Sequence, residues 1–367
     1  MNNYEFWNEY LKLIKKEILK LCRNKKKLHI DFHIHSNYSA DGKQSISQII
    51  ESTKKQNFDI IAITDHDTLE AYDEIYNYVK DGLTNPIIIP GIEFTIDNRE
   101  YGNQCHLLQL FVNPKDKVLL KNVEKNYNAM FNRSKIQFKR LNENLAMNEI
   151  TKKNRINISY EEYLKYLLNN QMIPEYETLS FYLIDKLKKR KVTTFDVLDK
   201  LEKYNSCDPY KDRQLLKEKR YKQLREKYQY TTSNLYNSRF LLSMLAVREV
   251  DDDWWEKPCG SLSVNSYGQL KIEELNDKYR IFFAHPTEKS LDVVDKIVKN
   301  KKSIIGLELN CRSTYNDIEN FYKVLDNNNL LKIIGSDSHD NTLKFYNDMN
   351  FYEIDSLDLK RIIKSVN

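Results

Sequence analysis

The sequence predicts an α/β fold, a parallel sheet or barrel with helices outside it, split by one large helical insertion. Three observations carry this reading. From residue 28, short apolar runs alternate with amphipathic stretches, and strands alternating with helices favour a parallel sheet covered by those helices. From about residue 117 to about 250 the alternation gives way to nearly continuous helical periodicity, and it resumes at YRIFFAHP. Finally, six of the seven histidines sit where an apolar run meets a carboxylate, in LHIDFHIHS, DIIAITDHD, QCHLLQLFV, YRIFFAHP and LKIIGSDSH.

The elements follow in order. Tyr4, Trp7, Leu11, Ile14, Ile18 and Leu21 recur at helical spacing, so residues 4–23 are expected to form an amphipathic helix. LHIDFHI is then a strand, SISQIIESTKKQ a helix, FDIIAIT a buried strand, TLEAYDEIYNYVKDG a helix and NPIIIPGIEFT a strand. CHLLQLFV adds a fourth strand before the helical region. Within that region YKDRQLLKEKRYKQLREKYQY (210–230) is dense in Lys, Arg and Tyr, and DDDWWEKPCG (251–260) reads as a connector. Three strands close the count at seven: YRIFFAHP, SIIGLELN and LKIIGSDSH.

Bulk properties narrow the classes. A chain of 367 residues holds one large or two smaller domains. The net charge of +5 is compatible with an anionic substrate and identifies none. Five dispersed cysteines without a CxxC pair point to reduced thiols. The charged N-terminus does not read as a signal peptide, and no run approaches the ~20 apolar residues of a membrane span. A cytoplasmic protein without a membrane segment is expected.

The candidate site gathers His33, His35, Asp41, His66, Glu93, His106, His285, Asp337 and His339. Residues i and i+2 of a strand face the same way, so His33 and His35 can reach one metal, and Asp337 and His339 repeat that spacing. Each has a plainer explanation. HxH recurs by chance, Asp67 or Thr68 could cap a helix beginning at Leu69, Glu93 could form a core ion pair, and a lone buried histidine is usually hydrogen-bonded. Together those explanations require nine coincidences at one edge. Functional groups of α/β folds collect at the carboxyl ends of strands, and only His106 lies near a strand start. Mixed N/O ligation favours Mn2+, with Zn2+ or Fe2+ as alternatives, over Mg2+ or Ca2+. The absence of cysteine argues against a structural zinc site.

The ordered motifs DFHIHSNYSADG, TDHD, GIEF, the lone His106, AHP and GSDSH resemble those of the PHP (polymerase and histidinol phosphatase) superfamily. The resemblance covers residues 28–112 and about 278–340. It implies a distorted (β/α)7 barrel with two or three divalent metal ions. It divides the chain into an N-terminal helix (1–27), a first barrel part (28–116), a mainly helical insertion (117–264) and a second barrel part (265–367). One metal would take His33, His35, Glu93 and Asp337. A second would share Glu93 and add His106 and His285, and a third would take Asp41, His66 and His339. The layout is most similar to the nucleotide phosphatase and oligoribonuclease branch. That branch often carries Gly-Gly before its AHP strand, where this chain has NDKYRIFFAHP.

The resemblance implies phosphoester hydrolysis by metal-activated hydroxide. Expected substrates are phosphorylated nucleotides or short single-stranded nucleic acid, cleaved by an exonuclease or 3′,5′-nucleotide phosphatase. A small-metabolite phosphatase such as histidinol phosphatase is the alternative, as is a component of a multi-protein nucleic-acid defence or repair complex. Asp31 or Asp65 would orient ligand histidines from behind, and Glu308 is a further second-layer group or core pair. Arg133 and Arg140, seven apart on one helical face, and Arg312 are candidate phosphate contacts; a solvated helix face is the plainer reading. The 210–230 segment would guide a nucleic-acid strand or, as its interleaved glutamates favour, form a solvated helix.

Overall fold

The computed structural model describes residues 2–39, 42–96, 105–147, 149–170, 174, 176–192, 270–286, 291, 294, 297–298, 303–310, 315–339 and 349–365. The chain divides into two compact units. One comprises residues 1–129, 257–262 and 266–367, the other 130–256 and 263–265.

The first unit begins with helix α1 (Asn3–Asn24), opened by a capping box in which Asn2 accepts from the Glu5 N–H and Glu5 accepts from that of Asn2. Its buried face is Phe6, Trp7, Tyr10, Leu11, Ile14, Ile18 and Cys22, whereas Tyr4 is exposed. The expected stripe holds at Trp7, Leu11, Ile14 and Ile18 and fails at its two ends, where Tyr4 is exposed and Cys22 is buried in place of half-buried Leu21. The Tyr10 hydroxyl, buried at the far side of this face, donates to the Ile88 carbonyl at 2.8 Å.

Strands β1 (Lys27–Ile34), β2 (Ile60–Ile63) and β3 (Ile87–Ile96) run parallel, with α2 (Ile46–Lys55) and α3 (Ala71–Val79) between them. Ser45 and Gln48 form a capping box on α2. Asp67 does not cap α3, which begins two residues later than expected and has no side-chain cap. Every residue of β2 and β3 is buried. The β2–β3 register ends at Pro90, which has no N–H to donate. Beyond it the Tyr72 hydroxyl bridges the gap, accepting from Gly91 N at 2.7 Å and donating to Ile63 O at 2.5 Å.

Strand β4 (Cys105–Leu110) departs from the parallel expectation. It is antiparallel to β3 and to β5 (Arg280–Phe283), with Thr95 opposite His106 and Leu107 opposite Phe283. Strands β6 (Ile304–Asn310) and β7 (Leu331–Gly335) then continue in parallel from β5. The reversal of β4 places its first residues at the rim where its neighbours end. His106, the expected exception, thereby reaches the same edge as the other candidates.

The sheet curls until its ends meet in a nearly closed barrel. His35 N donates to Ser338 O and Asp337 N to His33 O, both at 2.9 Å, joining the end of β7 to that of β1. An eighth strand beyond the seven expected, β8 (Glu353–Asp355), pairs antiparallel with the start of β1. Helices α8 (Tyr315–Asn328) and α9 (Ser356–Ser365) complete the unit among the described residues.

The second unit is helical where it is described. Helix α4 (Lys117–Met147) starts in the first unit, and α5 (Glu149–Lys153), α6 (Tyr160–Asn169) and α7 (Tyr176–Lys189) follow. Its core clusters Phe138, Leu141, Tyr163, Leu179 and Leu183. The 210–230 segment and the 251–260 connector lie outside the described residues. No described helix is long and apolar enough to cross a membrane.

Candidate metal centre

Glu93 stands at the centre of the barrel rim, fully buried on β3. Five imidazole nitrogens surround its carboxylate. His33 Nε2 and His66 Nδ1 lie 3.0 Å from Oε2 and His35 Nε2 lies 3.2 Å from it, while His106 Nδ1 and His285 Nε2 lie 3.1 Å from Oε1. Asp337 Oδ1 adds a second carboxylate, 3.2 Å from His35 Nε2 and 3.5 Å from His33 Nε2. His33 Nε2 and His35 Nε2 are themselves 2.9 Å apart.

Hydrogen bonding does not account for this packing. An ionised carboxylate offers about four lone-pair sites, fewer than the five rings facing Glu93. His106 Nδ1 is buried without a hydrogen-bond partner despite its proximity to Glu93. Convergent ring nitrogens and carboxylate oxygens fit divalent metal ions.

Among the described residues three groups could each hold a metal ion, with ligand atoms within 4.8 Å of one another: His33, His35, Glu93 and Asp337; His66, Glu93 and His106; and His35, His66 and His339. The first coincides with one expected set. In the second, His66 stands with Glu93 and His106, although His285 also touches Glu93. In the third, His35 joins His66 and His339, and the expected member Asp41 lies outside the described residues. The Nδ1 of His339 donates to the Asp337 carbonyl at 2.7 Å, which leaves Nε2 for ligation.

Local backbone geometry aims these groups. His285, Asp337 and Asp67 have φ of 31°, 52° and 51°. Such left-handed conformations cost a non-glycine residue about 1–3 kcal/mol each and persist only where surroundings enforce them. Asp67 is held by Thr95 N at 3.0 Å and Asn126 Nδ2 at 2.7 Å. Asn126, on α4, also donates to Thr95 O and accepts from Leu270 N. Nothing in the helical pattern around Asn126 signals that task.

The outer carboxylates hold the backbone around the ligands. Asp31 accepts from the backbone N–H groups of His33 and Ser336 at 3.2 and 2.9 Å, tying β1 to the end of β7. Asp65 accepts from Ser36 N at 2.6 Å and Ser36 Oγ at 2.7 Å. Both bonds fix the backbone that carries ligands. The ring of His33 is gripped by Glu308, whose two oxygens are each 3.0 Å from Nδ1. Ser39, unremarked in its turn, meets His35 Nδ1 and His66 N.

Electrostatics follow from burial and charge. Burial opposes protonation of His33, but the carboxylates of Glu308, Glu93 and Asp337 outweigh it and hold the ring well above the ordinary histidine range. His35 and His285 are also raised against burial, chiefly by bonds to Asp337 and Glu93 and to Glu93 respectively. Burial wins at His106 and lowers it. Burial likewise pushes Asp31 up to about 6, whereas the surrounding histidines overcome burial at Glu93 and Asp337 and lower both. Access is graded. His33, His35 and Glu93 side chains are sealed, while that of His285 is 34% exposed, so the centre opens on the His106–His285 side.

Among the expected phosphate contacts, Arg133 is buried on α4, which rules out a solvated helix face for it. The side chain of Arg140 and all of Arg312 lie outside the described residues.

Comparison with known proteins adds an independent line. The PHP domain family profile matches residues 31–231. No curated protein matches. A solved structure from Bifidobacterium adolescentis, provisionally described as a metal-dependent phosphoesterase, aligns with 92% of this chain and 96% of its own at 15% identity, with a TM-score of 0.55. That likeness shows the shared fold. An amidohydrolase from Chromobacterium violaceum aligns with 90% of this chain and 99% of its own, at 14% identity and a TM-score of 0.48, too low to carry weight.

Proposed function

From the premise that this chain belongs to the PHP domain family, its profile spanning residues 31–231, we propose that its substrates are phosphate esters of nucleotides or short oligonucleotides. The chain is a metal-dependent phosphoesterase of the PHP type. The observation that carries the reading is the Glu93 carboxylate ringed by five imidazoles at one barrel rim.

His33, His35, Glu93 and Asp337 would hold one divalent ion, and His66, Glu93, His106 and His285 a second, with His35, His66 and His339 available to a third. Bound there, such ions supply an activated water and positive charge against the phosphate oxygens. The protein's own contribution is placement. Glu93 draws five rings from four strand ends to one point. Asp31 and Asp65 lock the backbone behind them, and the sealed side at His33 and His35 excludes bulk water, which strengthens each electrostatic contact. A phosphate ester enters past His106 and His285, the more exposed ligands. The +5 net charge is compatible with an anionic substrate, and Arg312, in the barrel unit, is the proposed phosphate contact. Release as a mononucleotide or as inorganic phosphate separates the exonuclease and nucleotide phosphatase forms of this activity.

The test is product release by Mn2+-loaded protein from a panel: a nucleoside 3′,5′-bisphosphate, short RNA and DNA with and without a 5′-phosphate, and histidinol phosphate, each beside His33→Ala. Metal-dependent release from the nucleotide substrates, lost in the variant, is expected. Release from histidinol phosphate alone would assign a small-metabolite phosphatase, and release from none would remove the substrate proposal.

A further inference from the structure

Glu308 is fully buried on β6, and its oxygens meet donors from three directions. His33 Nδ1 lies 3.0 Å from each oxygen, His285 N donates to Oε2 at 2.6 Å, and Asn310 Nδ2 donates to Oε1 at 3.2 Å. The room for it is specific. A Cβ on Gly335 would lie 2.1 Å from Glu308 Oε1 and 2.5 Å from His33 Cβ, so β7 must carry glycine there for the carboxylate to sit against the ring.

We infer that Glu308 is a positioning residue that sets His33 and His285 together as metal ligands. A carboxylate accepts and cannot donate, so His33 must present its N–H at Nδ1. Once its second proton has left, the ring carries its lone pair at Nε2, the atom facing His35, Glu93 and Asp337. The same carboxylate restrains the backbone of His285, whose φ of 31° is otherwise disfavoured. One side chain thus links a ligand from β1 to a ligand that follows β5, on either side of Glu93. The inference rests on the reading of this cluster as a metal centre.

The experiment compares Glu308→Gln and Glu308→Ala with the unaltered chain. Mn2+ affinity is measured by competition with a chelating dye, and the His33 tautomer by nitrogen-15 shifts of the imidazoles in the metal-free protein at a pH high enough to leave His33 neutral. Glu308→Gln is expected to weaken Mn2+ binding about 10–100-fold and to mix the His33 tautomers, with a larger loss in Glu308→Ala. Gly335→Ala, which keeps the Glu308 side chain but pushes its carboxylate away from His33, is expected to reproduce the tautomer change. If folded Glu308→Gln keeps native affinity and a single Nδ1–H tautomer, the inference is overturned, and Glu308 is a core charge only. That decision does not need Glu308→Ala to fold. It is also independent of the substrate panel: failure there with intact Mn2+ binding rejects the substrate reading, while native affinity in Glu308→Gln rejects only the positioning role.

Discussion

The aromatic core of the helical unit and the rim of the barrel bury polar groups in opposite manners. In the helical unit, Phe138, Tyr163 and Tyr182 pack ring against ring, with Tyr163 centroids 5.9 and 5.4 Å from the other two. The hydroxyls find one another there: Tyr163 and Thr178 at 3.0 Å, Ser134 and Tyr160 at 2.8 Å. Burial pushes the Tyr182 phenol up to about 12, so it stays neutral. At the barrel rim the buried groups are imidazoles and carboxylates, and their mutual contacts exceed what hydrogen bonds satisfy. Neutral, paired burial serves packing. Charged burial in which ring nitrogens and carboxylate oxygens turn their lone pairs on one another needs a further cation, because isolated ionised groups are costly to desolvate.

The sharpest way to break this comparison is Glu93→Gln. The side chain keeps its shape and loses the charge facing five rings. Phosphoester hydrolysis is expected to fall by about 10³-fold, beyond the ~10–100-fold typical of an outer partner, and retained metal should drop. Metal content measured after dialysis that equals the unaltered chain would refute the central role given to Glu93. Metal removal comes next. Ligand at ~1,000 times its Kd stabilises a fold by about 4 kcal/mol, and here that gain belongs to the barrel. On chelation, amides of β1 and β3 should exchange faster with solvent, while those of α6 and α7 keep their rates. Equal acceleration in both units would show that the metal centre supports the whole chain.

The sequence made the barrel rim far more legible than the helical unit. His33, His35, Asp337 and His339 declare themselves through strand periodicity, since alternate residues share a face. His106 resisted that logic because its strand runs antiparallel, and strand direction is set by pairing partners distant in the chain: Thr95 on one side, Phe283 on the other. Asp67 resembled a helix cap, yet tertiary bonds to Thr95 and Asn126 claimed it. Asn126 was invisible, as one polar residue among many on a long helix. The grouping of His35 with His66 and His339 depends on ring placements within 4.8 Å that no spacing rule supplies.

pH sharpens the contrast with opposite slopes. In the metal-free protein His33, His35 and His285 have raised proton affinities. Their stabilisation is complete below the ordinary histidine value of 6.5 and is lost as pH rises through the raised values. Glu93 and Asp337 are lowered, so their stabilisation is present above the ordinary values of 4.5 and 3.8 and lost as pH falls. These five groups therefore favour the metal-free barrel between about 4.5 and 6.5, a gain reduced there by the raised Asp31 and the lowered His106. Metal affinity should climb above that window, because protons must leave the ligating rings. Melting temperatures of metal-free and Mn2+-loaded protein, followed from pH 5 to 9, should diverge with rising pH; parallel curves would deny that protons and metal compete for the same nitrogens.

The smallest effect tests the neutral side of the comparison. Tyr163→Phe removes one hydroxyl from the helical core and leaves the ring stacked among Phe138, Tyr160 and Tyr182. The lost bond to Thr178 joins two neutral groups, and such bonds contribute about 1 kcal/mol. Denaturant unfolding should register that loss in the helical unit, with Mn2+ affinity and phosphoester hydrolysis unchanged. A change in Mn2+ affinity would mean that the helical core and the rim are coupled, and that hydroxyl pairing in the second unit is part of how the metal centre is built.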